Sequence, residues 1–191
     1  MSEDRSNGYE AIAEKFIAVR SNSGQDLVEK WANNFSPKAF IIDIGAGYGE
    51  PLTSVLINRG FAVSAIDASP KMVSALGARF PNIDLACEAV EESNFFGQSF
   101  DGALAIGLIF LLSPETQKDF VRRVFNALKS GGRFLFSAPS QQGSWDDILT
   151  GRQSVSLGET TYCRILREAG FDSIETHVDN DENHYFEALK T

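Results

Sequence analysis

The stretch FIIDIGAGYG, residues 40–49, decides the fold of this chain. Its first half is apolar, as is typical of a buried strand, and Asp43 lies near the end of that strand. Gly45, Gly47 and Gly49 follow at alternate positions, just before a segment with helical periodicity. Glycine has no Cβ, so the backbone can turn tightly and a ligand can approach it closely. The stretch predicts a strand–turn–helix unit that binds a nucleotide-like ligand.

The glycine turn departs from the dinucleotide pattern G-x-G-x-x-G. Glu50 stands where the third glycine of that pattern is required. Asp43 and Glu50 would repel a pyrophosphate, whereas they would attract an ammonium group. Charge therefore favours a ligand with a cationic end, although an NAD site stays open at this point.

A second acidic residue follows the next predicted strand. Asp67 lies 20 positions after Gly47, which is the spacing of a carboxylate that accepts hydrogen bonds from a ribose diol. Its charge would repel a 2′-phosphate, which disfavours NADP. Ser69 and Pro70 then fit the cap and the first turn of a helix.

These motifs resemble the class I S-adenosylmethionine-dependent methyltransferases, and the resemblance spans residues 38–191. In that family the acidic residue and glycines of the first turn hold the methionine part of the cofactor. The resemblance implies a cofactor site at Asp43, Gly45, Ala46, Gly47, Gly49, Asp67, Ala68 and Met72.

The resemblance also implies an adenine-binding region after the third strand. There Glu88 would contact the adenine amino group, Ala89 a ring nitrogen through its N–H, and Val90 the face of the base. The family more often has Gly-Asp at this place, where this chain has Cys87-Glu88, or Glu88-Ala89 if the register shifts by one residue. Ile106 would lie over the cofactor at the end of the fourth strand. Many relatives carry a histidine nearby, but this chain has Phe110, so the sequence names no catalytic residue.

The acceptor side is predicted by topology alone. Residues 139–157 form the longest irregular segment, and it leaves the fifth strand on the side of the glycine turn. Candidate acceptor-side residues are Trp145 and Arg152 in this segment, His184 and Tyr185 at the start of the last strand, and Tyr9 and Arg20 in the leading helices, where relatives cover the cofactor carboxylate.

Apolar periodicity predicts two leading helices and then alternating strands and helices. We expect strands near 40–44, 62–66, 83–87, 100–106 and 133–138, helices near 50–59, 70–80, 115–129 and 158–169, and two strands in 171–190. This alternation predicts an α/β fold: a Rossmann-like, doubly wound, mostly parallel sheet with an antiparallel closing strand and helices on both faces. We expect one methyltransferase domain over 1–191, with a helical cap at 1–37 and the core at 38–191.

Composition limits the function further. The net charge of −9 and pI near 4.7 argue against a nucleic-acid partner, since such binding needs many Lys and Arg, and favour a small-molecule acceptor. Cys87, Cys163, His177 and His184 lack metal or disulfide spacing, so no metal site is expected. The first ten residues lack a leader pattern, and the longest apolar run is too short to cross a bilayer. We expect a soluble, cytoplasmic protein without a membrane partner.

The resulting hypothesis is S-adenosylmethionine-dependent methyl transfer to a small molecule by in-line attack on the sulfonium methyl. Two alternatives stay open. One is an NAD-linked oxidoreductase, for which the sequence shows no proton-transferring group beside a nicotinamide. The other is a noncatalytic S-adenosylmethionine-binding module, because a fold and a cofactor site do not fix function.

Overall fold

A computed structural model describes residues 4–191 of the chain. The strands are β1 (Phe40–Ile44), β2 (Ala62–Asp67), β3 (Asp84–Cys87), β4 (Phe100–Ala105), β5 (Leu128–Ser137), β6 (Gln142–Asp146), β7 (Gln153–Leu157), β8 (Ser173–Val178) and β9 (His184–Leu189). The helices are α1 (Tyr9–Val19), α2 (Gln25–Ala32), α3 (Leu52–Asn58), α4 (Pro70–Arg79), α5 (Pro114–Ala127) and α6 (Glu159–Ala169).

Seven strands form one sheet in the order β3-β2-β1-β4-β5-β9-β8. Strands β1 to β5 pair in parallel, and β9 runs antiparallel to both of its neighbours, β5 and β8. The predicted α/β fold with an antiparallel closing strand is confirmed. Strand order reverses between β1 and β4, and in such sheets ligands bind outside the carboxyl ends of the strands at that point.

Both faces of the sheet are buried, which explains the continuous apolar runs of its strands. Side chains alternate between faces along a strand, so Ile41 and Ile42 enter different cores. One core joins β1 and β4 to α2 and α3, and the other joins the sheet to α5 and α6. Asp43 shares the side of Ile41 and therefore points toward α3.

Helix ends follow the predicted local chemistry. Ser69 accepts a hydrogen bond from Met72 N–H at 3.2 Å, and Pro70 occupies the first turn of α4. Helix α6 ends at Gly170, which has φ of 112°, a conformation that favours glycine.

Residues 139–157 differ from the prediction of an irregular segment. Strands β6 and β7 pair antiparallel from Gln142↔Leu157 to Asp146↔Gln153 and form a separate hairpin. The sequence did not predict this pairing, because the hairpin is polar and is held to the rest of the protein partly by hydrogen bonds. Ser156 Oγ donates to Pro139 O at 2.7 Å, and Gln117 Nε2 of α5 donates to Val155 O at 2.8 Å.

Candidate functional site

A cavity of about 760 Å³ opens where strand order reverses. The size is typical of a small-molecule or cofactor site. Sixteen of the eighteen predicted site residues line it: Tyr9, Arg20, Asp43, Gly45, Ala46, Gly47, Asp67, Ala68, Met72, Glu88, Ala89, Val90, Ile106, Arg152, His184 and Tyr185. The fold thus brings predicted site residues from distant parts of the chain to one cavity.

The glycine turn is fixed to the neighbouring strand. The N–H groups of Gly45 and Ala46 donate to Ile66 O at 2.9 and 3.1 Å. Gly47, with φ of 58°, has no atom within 4 Å of the position that a Cβ would take. Because Gly47 lines the cavity, its backbone is open to a ligand.

Gly49 does not line the cavity, unlike the other glycines of the turn. A Cβ at Gly49 would lie 2.9 Å from side-chain atoms of both Leu76 and Phe80. This glycine allows α4 to pack closely against the turn, so its contribution to a cofactor site is indirect.

Asp43 is buried beneath the turn, and its carboxylate accepts a hydrogen bond from Thr53 Oγ1 of α3 at 2.6 Å. Burial raises the pKa of Asp43 to about 6, and the nearby Asp67 also raises it. Thr53 and Arg20 oppose this shift. Burial thus makes this carboxyl harder to ionise than an ordinary aspartate, and a cationic group of a ligand beside it would favour the ionised form.

Asp67 ties two turns together at the end of β2. One of its carboxylate oxygens accepts Gly47 N–H at 2.8 Å, and the other accepts Ser69 N–H at 2.8 Å. Burial raises its pKa, while these backbone donors lower it. Each oxygen keeps a second lone pair, so the carboxylate can still accept hydrogen bonds from a diol.

Glu88 lines the cavity beyond Asp67, and its N–H donates to Asp67 O at 3.0 Å. Its carboxylate accepts a hydrogen bond from the hydroxyl of Ser93, a residue that is almost fully buried. Ser93 was not predicted, since a lone serine in a polar loop carries no signal. Ala89 and Val90 are buried and complete this wall.

Helix α1 covers the cavity with one face. Tyr9, Phe16 and Arg20 all line it. Within residues 4–191, the Arg20 guanidinium takes part in no ion pair, although Asp43 is near enough to affect its pKa. Burial lowers the pKa of Arg20, but an arginine stays protonated in proteins. A half-buried cation without an ion partner among the described residues is suited to receive an anionic group.

The β6–β7 hairpin meets α1 above the cavity. Tyr9 Oη donates to Asp147 Oδ2 at 3.3 Å, and Arg152 lies 3.7 Å from Asp4. Burial first, and Asp147 second, raise the pKa of Tyr9 to about 12. Asp147 is a lining residue that the sequence did not reveal, because one of several acidic residues in a polar turn has no distinguishing pattern.

Trp145 does not line the cavity. Its ring packs against Phe110 with centroids 5.7 Å apart, and Phe110 does line the cavity. The side chain therefore supports the wall from behind.

The last strand supplies the opposite wall. His184 Nε2 lies 3.4 Å from Ser140 Oγ, and Tyr185 Oη donates to Asp179 at 2.6 Å. Burial raises the pKa of Tyr185, with the Asp179 hydrogen bond acting in the same direction. Both side chains are held by partners on neighbouring loops.

One group of potential metal ligands lies away from the cavity, on β8 and β9. Single ligand atoms of Glu175, His177 and Glu187 lie within 4.8 Å of one another. Arg133 lies 2.7 Å from a carboxylate oxygen of Glu187, so one of the two carboxylates already has a cationic partner. We assign no metal to it, and the expectation of a metal-free protein stays a prediction.

No helix within residues 4–191 combines the length and apolar character that crossing a bilayer requires.

Known proteins share both the sequence pattern and the fold. The family model described as a methyltransferase domain matches residues 41–132, which include the glycine turn, Asp67 and Glu88. The sarcosine/dimethylglycine N-methyltransferase of Halorhodospira halochloris is 26% identical over 187 residues, which cover 90% of this chain and 66% of that protein. The chain spans 66%, 47% and 56% of the length of three curated relatives.

Two solved structures illustrate the shared fold. The 1,6-didemethyltoxoflavin-N1-methyltransferase of Burkholderia thailandensis, with bound S-adenosylhomocysteine, has a TM-score of 0.73 at 19% identity and covers 100% of this chain and 92% of its own. The magnesium protoporphyrin IX methyltransferase of Synechocystis PCC 6803, with bound SAM, has a TM-score of 0.74 at 14% identity, covering 100% and 99%. Residues 41–132 thus match a methyltransferase domain, and the fold of the chain is that of solved S-adenosylmethionine-dependent methyltransferases.

Proposed function

We propose that the chain binds S-adenosylmethionine in the cavity and transfers its methyl group to a small molecule. The observation that carries this proposal is that two carboxylates, Asp43 and Asp67, line the same cavity as the open backbone at Gly47. One is suited to an ammonium group and the other to a ribose diol.

The residues present fit this cofactor at each of its ends. Asp43 would hold the ammonium and Arg20 the carboxylate of the methionine part, since the half-buried guanidinium has no ion partner within residues 4–191. Asp67 would accept the ribose hydroxyls. Glu88, Ala89 and Val90 would contact the base, with Met72 and Ile106 providing apolar contact.

The bound cofactor supplies an electrophilic methyl group on a positively charged sulfur. The residues of the chain would contribute by positioning the acceptor relative to this methyl group. Holding the acceptor in line with the methyl carbon can supply roughly 7 to 11 kcal/mol of the barrier. A general base is needed only for an acceptor that must lose a tightly held proton. We therefore assign no catalytic residue, and we place His184, Tyr185 and Arg152 among the residues that orient the acceptor.

A small-molecule acceptor is supported by the cavity and by the charge of the chain. Aromatic side chains of Tyr9, Phe16, Phe110 and Tyr185 line the cavity. The two methyltransferases named for sarcosine/dimethylglycine and 1,6-didemethyltoxoflavin act, by their names, on small molecules. The net charge of −9 opposes a nucleic-acid acceptor. That exclusion and the cytoplasmic location stay predictions.

Titration calorimetry with S-adenosylmethionine, S-adenosylhomocysteine and NAD tests the proposal. We expect both sulfur compounds to bind and NAD not to bind, because Asp43 and Glu50 repel a pyrophosphate. Tight binding of NAD alone would favour the oxidoreductase alternative. A methyl-release assay across amine, hydroxyl and thiol acceptors then separates an enzyme from a noncatalytic binding module.

A further inference from the structure

Residues 88–95, here called the base loop, link the end of β3 to the short helical turn before β4. The loop brings Glu88, Ala89 and Val90 to the cavity. Phe95 at its end and Phe96 just after it both have positive φ, at 50° and 58°. Such conformations are rare for bulky residues and persist only where surrounding contacts impose them.

Arg123 of α5 supplies contacts of this kind. Nη1 donates to Val90 O at 2.5 Å and Nη2 donates to Ser93 O, so one guanidinium joins two carbonyls of the base loop. The guanidinium also lies over the Phe95 ring, 5.3 Å from its centroid. Within residues 4–191 Arg123 makes no ion pair, and it does not line the large cavity.

The guanidinium of Arg123 is connected to the cavity through Ser93. The Ser93 backbone carbonyl is held by Arg123, while its side-chain hydroxyl donates to the carboxylate of Glu88. The same hydroxyl accepts Phe95 N–H at 2.9 Å. Through Ser93, the guanidinium fixes the direction in which Glu88 presents its remaining oxygen lone pairs.

We propose that Arg123 is a positioning residue that sets the preference of the cofactor site for adenine over a purine with a 6-oxo group. The inference rests on the proposed function. A carboxylate held in one orientation accepts a hydrogen bond from the 6-amino group of adenine, and it repels the carbonyl oxygen of hypoxanthine. Arg123 acts on this choice without touching the base.

The test compares S-adenosylhomocysteine with S-inosylhomocysteine by titration calorimetry. We expect the unmodified protein to prefer the adenosyl compound by about tenfold to a hundredfold, the usual range for a hydrogen bond to a charged group. Arg123→Lys keeps the charge but loses the two-pronged geometry, and it should lower this preference by about tenfold. Arg122→Gln is the matched control, since Arg122 pairs with Asp119 on the surface. It should leave the preference unchanged.

Ser93→Ala leaves Arg123 in place and keeps the test decisive if Arg123→Lys unfolds, and a double variant checks the pathway if Arg123→Lys folds. Ser93→Ala removes the link between the loop and Glu88, and it should lower the preference in the same way. Glu88→Gln combined with Arg123→Lys should lower it no further than Glu88→Gln alone, because both act through one carboxylate.

An equal loss of affinity for both compounds in Arg123→Lys or Ser93→Ala would overturn the inference, since it would indicate a merely structural role. Equal binding of both compounds by the unmodified protein would overturn it as well, while leaving the proposed cofactor intact. Failure of the unmodified protein to bind either compound would instead refute the proposed function.

Discussion

Gly47 and Gly49 lie two residues apart in one turn, and the absence of a side chain serves a different purpose at each. Both have positive φ, at 58° and 90°. At Gly47 the missing Cβ leaves space in the cavity, whereas at Gly49 it leaves space for Leu76 and Phe80. Ligand approach and helix packing are thus separated within one motif.

Alanine at each position should separate these roles. Both variants should lose about 1 kcal/mol of stability because alanine is strained at positive φ. Gly49→Ala should lose about 1 to 3 kcal/mol more through overpacking, while keeping cofactor affinity within a few-fold. Gly47→Ala should lose affinity for S-adenosylhomocysteine by at least about tenfold. Urea unfolding and calorimetry measure the two effects, and the reverse assignment of losses would refute this account.

Asp43 should make cofactor binding depend on pH. Burial raises the pKa of its carboxyl to about 6, and an ammonium group binds the ionised form. Affinity for S-adenosylhomocysteine should therefore rise between pH 5 and pH 7, by up to about tenfold per pH unit below the pKa, and level off above it. Calorimetry over this range measures the profile. Asp43→Asn should bind weakly with a flat profile.

The same carboxyl should affect the unliganded protein in the opposite direction. A pKa raised in the folded state means that the folded state binds the proton more tightly than the unfolded chain. This contribution to stability is present below the ordinary pKa of 3.8 and is lost as the pH rises through about 6. Binding and stability should thus respond to Asp43 with opposite signs, and parallel responses would contradict the buried placement.

At the residue scale, the sequence revealed groups whose spacing has a chemical reason. Asp43 lies one residue before the end of β1 and Asp67 ends β2, where the proposed cofactor site needs one carboxylate for an ammonium group and one for a ribose diol. Thr53 and Ser93 escaped prediction, because their hydroxyls act only through partners that the fold brings near. The sequence motif also included Gly49 in the cofactor site, since spacing does not reveal which way a missing side chain would point.

At the scale of elements, α1 is attached to α4 through a single carboxylate. Glu10 accepts hydrogen bonds from Ser69 Oγ at 2.6 Å and from Lys71 N–H at 3.0 Å. The first turn of α4 has unpaired N–H groups, which an acidic side chain can satisfy. Helix α1 thereby reaches the same turn that Asp67 holds.

Replacing Glu10 should loosen the cover over the cavity. Glu10→Ala removes both hydrogen bonds, so amide exchange in α1 should accelerate by roughly tenfold. Exchange measured by mass spectrometry should localise the change to α1 and the start of α4. Glu14→Ala is the matched control, because Glu14 is exposed on the same helix. Equal acceleration in both variants would indicate that the carboxylate does not hold the helix.

Elements with apolar periodicity were predictable, and the β6–β7 hairpin was not. The leading helices and the βα alternation leave a periodic pattern because they bury one face. In the hairpin, Ser154 and Ser156 occupy buried positions that a pattern search reads as polar. Backbone hydrogen bonds pair these two polar strands, so the hydrophobicity pattern of the side chains does not predict the pairing.

For the whole molecule, the proposed division into a helical cap at 1–37 and a core at 38–191 can be tested by unfolding. Trp31 of α2 is buried in the core that α3 and the sheet share. Trp145 lies in the β6–β7 hairpin. The two tryptophans therefore report on the cap and on the cavity wall separately.

We expect one cooperative transition. Trp145→Phe leaves fluorescence from the cap, and Trp31→Phe leaves fluorescence from the hairpin. The indole N–H of Trp31 is buried without a partner, so its loss removes no hydrogen bond. Urea transitions of both variants should coincide with their far-UV circular dichroism, as required for two-state unfolding. An earlier transition of Trp31 fluorescence would show that the cap unfolds on its own.

Sheet architecture was predictable for the whole molecule, but the cover of the cavity was not. Alternating strands and helices favour parallel order, and the resemblance supplied the closing antiparallel strand. The hydrogen bond from Tyr9 to Asp147 joins two residues that are 138 positions apart in the sequence. Each lies in a polar stretch with no pattern that would indicate the contact. Contacts of this range depend on the assembled fold.

The β6–β7 hairpin forms its own two-stranded sheet between β5 and α6. Strands β6 and β7 pair with each other and not with the seven-stranded sheet, so changes in the length or sequence of the hairpin need not disturb the register of that sheet. Under the proposed function, exchange of this insert should therefore change which acceptors bind, while the residues proposed to hold the methyl donor stay as they are.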